Sequence, residues 1–488
     1  MQPYVILGIF LIYTAVLFFV TWLTSRKANN QSFFVGNKAS LWYVVAYGMI
    51  GASMSGVTFM SLPGWVGDTQ FSYMVVVLGN LCGYITIALV LLPLYYRLKL
   101  TSIYTYLGQR FGVASYKTGA GFFILSRTLG ASLRMFLVIN VLQIFVFDAW
   151  GVPFWVNVLI FIILIILYTL KGGIKTIIWT DTLQTTCMLL AVVLTVVYIS
   201  KSMDISFFKL VSTVKESPDS TMFIMDWHHP RFFLKQFLSG MFITIAMTGL
   251  DQEMMQKNLS CKNLKEAQKN MFTFSGILVL VNLLFLFLGA ILLIYAKKNG
   301  ITVEASDDLF PTIALRYLGP VAGVIFFIGL VSAAFPSADG AMTSLTTIVS
   351  IDFLGLDKRE GFTEKKKTNV RYVVHICIAT MFFISVLIFS TLKDKAVIDK
   401  IFTIAGYTYG PLLGLFVFGL FTKRVVNDKA TPYIAILSPI LCYILNLYSQ
   451  QLFNGYKFGF EMLLVNGFLT CLGLFMFSKK AEPESLGR

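Results

Sequence analysis

The sequence predicts an all-α polytopic membrane protein with about thirteen transmembrane helices. Three observations carry that expectation. Hydrophobic residues make up 57% and charged residues 13%, whereas soluble domains hold about a quarter charged residues. Apolar runs of about 20 residues, the length that crosses a bilayer, recur along the chain and leave no room for a soluble domain of ordinary size. The basic residues between those runs fall mostly on alternate loops.

In chain order the spans are expected at about 3–24, 43–65, 71–96, 119–147, 153–170, 177–201, 233–256, 271–297, 311–351, 371–392, 399–421, 431–449 and 460–478. The first run, Tyr4 to Leu23, lacks a basic leader and continues too long for a signal peptide, so it reads as a span. The run 311–351 is too long for one straight crossing of about 30 Å. Pro336 and Gly340 predict a kink near its middle. The second to sixth spans form one set of five, and the seventh to eleventh another. Five is odd, so the sets begin on opposite sides of the membrane, the geometry of an inverted-topology repeat. The expected organisation is an extra N-terminal helix in 1–30, repeat one in 43–201, repeat two in 231–421, two extra C-terminal helices in 431–478 and a tail at 479–488. Glycines soften the first helix of each set: Gly48, Gly51 and Gly56 in one, Gly240 and Gly249 in the other.

The formal net charge of +15 reports topology rather than a nucleic-acid partner. One loop set, from Arg26, Lys27 and Lys38 to Lys479, Lys480 and Arg488, carries 25 Lys and Arg; the opposite set carries 11, and Arg127, Arg134 and Arg316 lie inside apolar runs. Basic loops stay inside, which puts the N-terminus outside and the C-terminus in the cytoplasm of a plasma (inner) membrane, as an odd number of spans requires. The implied partners are the lipid bilayer and a small-molecule solute, with no nucleic acid and no obligate protein partner. The six cysteines lie in spans or in a loop placed inside, so no disulfide is expected. Three scattered histidines make no transition-metal site. No phosphate-binding glycine loop or nucleophile–base pair is present, so the chain is not expected to be an enzyme.

Five stretches carry chemistry. Gly51-Ala-Ser-Met-Ser-Gly-Val-Thr-Phe-Met-Ser-Leu-Pro63 places glycines and hydroxyls in an otherwise bulky helix. It either unwinds to free carbonyls for a cation or packs closely through small residues. Ser332 to Ser344 sets Pro336, Ser337, Asp339 and Gly340 inside an apolar run. A charge at that depth costs about 2.5 kcal/mol or more unless a cation, proton or water meets it, although a kinked helix whose Ser and Asp satisfy backbone groups is the alternative. Lys171-Gly-Gly-Ile-Lys-Thr-Ile-Ile-Trp-Thr-Asp181 brings a second carboxylate into a span, or else caps a helix near the interface. Arg127 and Arg134 stack on one helix face two turns apart, facing either a cavity or, by snorkelling, a headgroup; Arg134 is the functional candidate. Finally, Thr244 to Thr248 lead into Asp251-Gln-Glu-Met-Met-Gln-Lys257, where Asp251 and Glu253 are expected at the membrane interface.

These residues resemble the sodium:solute symporter family over roughly 30–425. The resemblance rests on Gly172-Gly173 with Trp179-Thr180-Asp181, on Asp251-Gln252, Gln256 and Lys257, and on the Ser/Ala-rich helix ending in Ile351-Asp352. It implies the LeuT-type fold and Na+ as the coupling ion. Residue by residue, it implies a first sodium site from the carbonyls of Gly51, Met54 and Ala333 and the hydroxyl of Ser337. Pro336 stands where a further serine is frequent. By resemblance to sialic acid transporters, Asp181 belongs to a second cation site, and Asp339 replaces a serine there; a site shared by Asp181 and Asp339 is therefore expected. Ser53, Ser55 and Thr58 are implied as solute contacts, with Arg134, Thr244, Met247 and Thr248. Met247 and Thr244 occupy the places of the sugar transporters' aromatic gate and asparagine, which argues against galactose-like recognition.

The expected function is sodium-coupled import of a small polar organic solute by alternating access, with an organic anion such as sialic acid or another acidic sugar favoured. The alternatives are a proton-coupled symporter of the same fold and a non-transporting membrane solute sensor. A sensor usually carries an appended signalling domain, and the tail after Phe477 is too short for one.

Overall fold

The computed structural model describes residues 3–26, 29–229, 231–359, 361–391, 397–456 and 458–480. Lys27, Arg488 and all of the expected tail beyond residue 480 lie outside them. The principal helices are α1 (Pro3–Ser25), α2 (Trp42–Ser53), α3 (Gly56–Thr69), α4 (Tyr73–Arg97), α5 (Val113–Trp150), α6 (Phe154–Ser202) and α7 (Phe233–Gly249). They continue with α8 (Gln252–Leu259), α9 (Leu264–Asn299), α10 (Pro320–Phe353), α11 (Glu364–Ser390), α12 (Val397–Phe421), α13 (Thr431–Leu447) and α14 (Met462–Met476). Backbone groups cannot be solvated in hydrocarbon, so crossing segments bond within themselves as helices.

Helix α10 is the axis of the molecule. Every residue from Gly329 to Ile348 is buried, as expected of a helix surrounded by protein on all sides. It packs on α6, α5 and α1. Its small residues let neighbours approach: Phe59 of α3 lies where a Cβ on Gly329 would be.

One sequence expectation changes. The long 311–351 run is interrupted at Gly319 (φ 86), after a short helical stretch ending at Tyr317, and not at its middle. Gly319 tolerates the left-handed backbone that ends one helix, and Pro320 suits the first position of the next. From there 320–348 remain one α-helix through Pro336. Among the described residues, nine helices are long and apolar enough to cross a membrane, or eleven if each bent pair is one span, by length and composition; this count does not confirm the expected thirteen. The difference lies in α14, with 15 residues, and in α6, with 49 residues and a non-helical Gly173 (φ 53, ψ −148). The two helical segments that meet at Gly173, 154–172 and 174–202, are about 28 Å and about 44 Å long at about 1.5 Å per residue, each near or above one hydrocarbon thickness.

The basic loops gather at one end. Asn30 joins Glu364 (2.9 Å) and Arg371 (2.9 Å), Ser40 N–H donates to Ser260 O (3.1 Å), and Gly173 packs on Phe33. Arg110 donates to Thr422 O (2.7 Å) and Asp428 accepts from Ser115 N–H (2.7 Å) at the same end. The opposite loops have their own contacts, including Phe71 N–H to Thr221 O (3.1 Å) and Lys235–Glu461 (2.8 Å).

Two bends position the centre. Helices α2 and α3 meet at 59°, and α7 and α8 at 66°. Each falls in the first span of a predicted set of five. Helices α4 and α7 touch through glycines: a Cβ on Gly79 would strike Phe237 O, and one on Gly83 would lie 2.6 Å from Met241 O. Gly83→Val should therefore cost about 1–3 kcal/mol of stability through overpacking. Gly130→Ala, which has open space around it, should be neutral or gain up to about 1 kcal/mol. Melting temperatures of the detergent-purified variants check both.

Candidate solute and cation site

The first bend is built by close approach followed by unwinding. On α2, a Cβ at Gly48 would sit 3.1 Å from Ile178 O and 3.2 Å from Asp181 Cβ, and one at Gly51 would strike Thr185. Gly51 N–H also donates to Thr185 Oγ1 (3.0 Å). Small-residue packing thus holds α2 on α6. Beyond it, Met54 (φ −89, ψ 79) and Ser55 (φ −71, ψ 172) leave the helix before α3 resumes at Gly56. Close packing and unwinding both occur within 51–63, at different residues.

This unwinding faces α10. A Cβ on Gly56 would lie 3.7 Å from Ala334 Cα, between Ala333 and Ser337. The last carbonyls of α2 have no partner within the helix. Ser337 Oγ is buried without a hydrogen-bond partner. Buried hydroxyls normally find one. Free carbonyls beside an orphaned hydroxyl make an all-oxygen donor set, which suits a hard cation. Gly51, Met54, Ala333 and Ser337 therefore fit Na+.

A cavity of about 120 Å³ opens beside the bend. Ser53, Ser55, Thr58, Arg134, Thr244, Met247 and Thr248, the expected solute contacts, all line it. Arg127 lines it too, as do Asn80, Tyr84 and Tyr73 from α4. Tyr73 also lines an outer cavity of about 200 Å³ with Trp65, Arg231 and Phe460. With its amide oriented to donate, Asn80 bonds Thr244 Oγ1 (3.0 Å) and Gly240 O (2.9 Å) and so fixes α4 against α7. The α4 residues were not expected from the sequence, although an amide in the apolar run 74–96 was a readable signal.

The two arginines differ in their company. Arg127 pairs with Glu253 and lies 3.7 Å from Asp251. Arg134 makes no ion pair among the described residues, and its Nε is buried without a hydrogen-bond partner. One cation in the cavity is neutralised and the other is available.

Asp251 and Glu253 correct the sequence reading: both are fully buried, not interfacial. Their partner Arg127 comes from a distant helix, so nothing local announces the burial. Asp251 caps α8, accepting from Glu253 N–H (2.9 Å) and Met254 N–H (3.2 Å), and also accepts from Tyr409 Oη (2.7 Å). The carbonyls freed at this second bend are taken up: Tyr95 donates to Gly249 O (2.9 Å) and Tyr104 to Leu250 O (2.7 Å). Gln252 holds the loop at Thr101 O (2.8 Å) and Ile103 N–H (3.0 Å), and Gln256 donates to Phe34 O (2.6 Å). Lys257 Nζ reaches Asp181 Oδ2 (2.7 Å) and Glu253 Oε1 (3.4 Å). Asp339 Oδ2 accepts from Tyr168 (2.7 Å). The structure thus buries Asp181 and Asp339 together on α6 and α10, with a protein ammonium already on Asp181.

Comparison with known proteins gives a consistent picture. The family model of the sodium:solute symporter family matches residues 33–432. The chain is 23% identical over 91% of its length to the sodium/sialic acid symporter SiaT of Proteus mirabilis, covering 89% of that protein. It is 24% identical over 84% of its length to the human sodium/iodide cotransporter, covering 64% of it. A solved substrate-bound, outward-open Na+-coupled sialic acid symporter, described as revealing a novel Na+ site, superposes with a TM-score of 0.81 at 18% identity, over 98% of this chain and 99% of that one. The fold is shared with that symporter.

The Arg127–Glu253 pair gives a direct test of the network. Arg127→Leu leaves Asp251 buried without its cation and Glu253 with Lys257 alone, and should cost about 3–5 kcal/mol. Arg127→Leu with Glu253→Leu should recover part of that loss. A melting-temperature double-mutant cycle reads the coupling.

Proposed function

This chain belongs to the sodium:solute symporter family, and from that premise we propose that its solute is an organic anion, an acidic sugar being the favoured class. It is a multi-pass membrane protein and a Na+-coupled secondary transporter, not an enzyme. The observation that carries the solute class is Arg134, a cavity-lining guanidinium without an ion pair among the described residues. Its planar fork matches a carboxylate, while Ser53, Ser55, Thr58, Thr244 and Thr248 offer hydroxyls to the remainder of the molecule. Two relatives are named for sialic acid and iodide, both anions at neutral pH.

In this reading Na+ is held by Gly51, Met54, Ala333 and Ser337. Bound there it supplies a positive charge that joins the unwound end of α2 to α10. The protein's own part is to present the oxygens and keep the two helices in register. Because the solute cavity begins at Ala52 and Ser53 of the same unwound stretch, cation and solute bias one arrangement of α2, and their binding is reciprocally coupled. Opening outward, closing over both ligands and opening inward then delivers the solute. Each inward charge contributes about 2.3 kcal/mol per 100 mV. In this reading the repeats span 43–201 and 231–421, with the basic loop end in the cytoplasm and the N-terminus outside.

Two measurements test the reading. A thermal-shift panel of neutral sugars, acidic sugars, carboxylates and amino acids, each with and without Na+, should single out an acidic compound whose effect requires Na+. A neutral sugar that stabilises as strongly would overturn the anion class, and proteoliposome uptake that follows pH but ignores Na+ would overturn sodium coupling. Arg134→Ala should weaken the anion by about 10- to 150-fold, the range for a charged hydrogen bond of about 1.5–3 kcal/mol. Ser337→Ala should raise the half-saturating Na+ concentration without lowering the Na+-free melting temperature, because its hydroxyl has no partner to lose.

A further inference from the structure

Asp181 is expected to serve a second cation, yet in the structure it already has one. Lys257 Nζ lies 2.7 Å from Asp181 Oδ2, and the two side chains are 1% and 0% exposed. The same ammonium lies 3.4 Å from Glu253 Oε1. Glu253 is in turn held by Arg127. A free ion at Asp181 would therefore have to displace an ammonium anchored from two sides.

The neighbouring groups close the position further. Gln184, with its amide turned to donate, lies 3.3 Å from Asp181 Oδ1. Asp339, on the central helix, directs Oδ2 to Tyr168 (2.7 Å) and forms no ion pair among the described residues. On the side of α11, His375 is occupied by Thr169 and Thr346, both at 2.8 Å. By contrast, the first cation position retains an unpartnered oxygen at Ser337. One site offers vacant acceptors; the other has a single positive charge built into the chain.

We infer that Lys257 is the resident cation of the second position, where its ammonium makes the charge-balancing contact that a second Na+ would otherwise make to Asp181. The transporter therefore moves one Na+ per solute. This inference rests on the sodium-coupled reading above and deepens it by fixing the ion count. The role is positional: Lys257 is a tethered counter-ion that excludes a mobile one.

Equilibrium binding of radioactive Na+ to the purified full chain, with melting temperatures across a Na+ series, tests it. Wild type should saturate at one Na+. Lys257→Met should melt lower at low Na+, regain stability as Na+ rises and saturate at two. Lys257→Met with Asp181→Asn should return to one. Two Na+ on wild type, or only one on folded Lys257→Met, overturns the inference. If Lys257→Met does not fold at any Na+ concentration, Ser337→Ala in the otherwise unaltered chain decides. Binding that still saturates at one Na+, at a raised half-saturating concentration, supports a single site, whereas a Na+ that saturates at the unaltered concentration overturns the inference. No bound Na+ on wild type, with uptake indifferent to Na+, would instead remove the sodium reading on which the inference rests.

Discussion

An ionised side chain buried in this protein has no water to fall back on, so most charges at the centre are paired, chiefly across helices, with Arg134 and Asp339 left outside the ion pairs among the described residues. That constraint produces the chain Asp181–Lys257–Glu253–Arg127–Asp251, which ties α6, α8 and α5 together and ends at Tyr409 of α12. Such networks are poor sources of net stability compared with apolar packing, but breaking one member is costly. Their use here is geometric. They hold the bend between α7 and α8 in one place beside a cavity that must be polar.

The two bends solve the same backbone problem in opposite ways. At 249–251 the protein supplies the partners itself, through Tyr95, Tyr104 and the Asp251 cap. At 54–55 it leaves the end of α2 against the stretch of α10 that carries Ser337, whose hydroxyl is unpaired. Satisfied carbonyls make a support; unsatisfied oxygens make a receptor. The asymmetry separates two similar bends: one is braced by partners from within the chain, and the other leaves a hydroxyl beside it unpaired.

Much of this was legible in the sequence, because lipid restricts what a chain can do. Apolar runs gave the helical architecture, and the glycine–hydroxyl stretch 51–63 gave the first bend. The expected solute residues meet in one cavity because they lie on the two broken helices and on the arginine-bearing face of α5. What escaped was partner choice. Asp251 and Glu253 follow an apolar run next to basic residues, which locally reads as an interface; only the distant Arg127 draws them inside. Lys257 counted toward the basic loops for the same reason, yet it is fully buried. The break at Gly319 was hidden because the residues on both sides are apolar, so hydropathy alone could not separate a short helix from the long one after it.

Asp251 performs several tasks with one small carboxylate: it caps a helix, accepts a phenol and faces a guanidinium. An amide of the same size keeps the reach but not the charge; a longer acid keeps the charge but moves it about one bond beyond the cap. No single exchange preserves all its tasks, so changes here are constrained to arrive together with changes at Arg127 or Tyr409. The position acts as a hinge pin of sequence drift, around which the surrounding residues can vary only as a group.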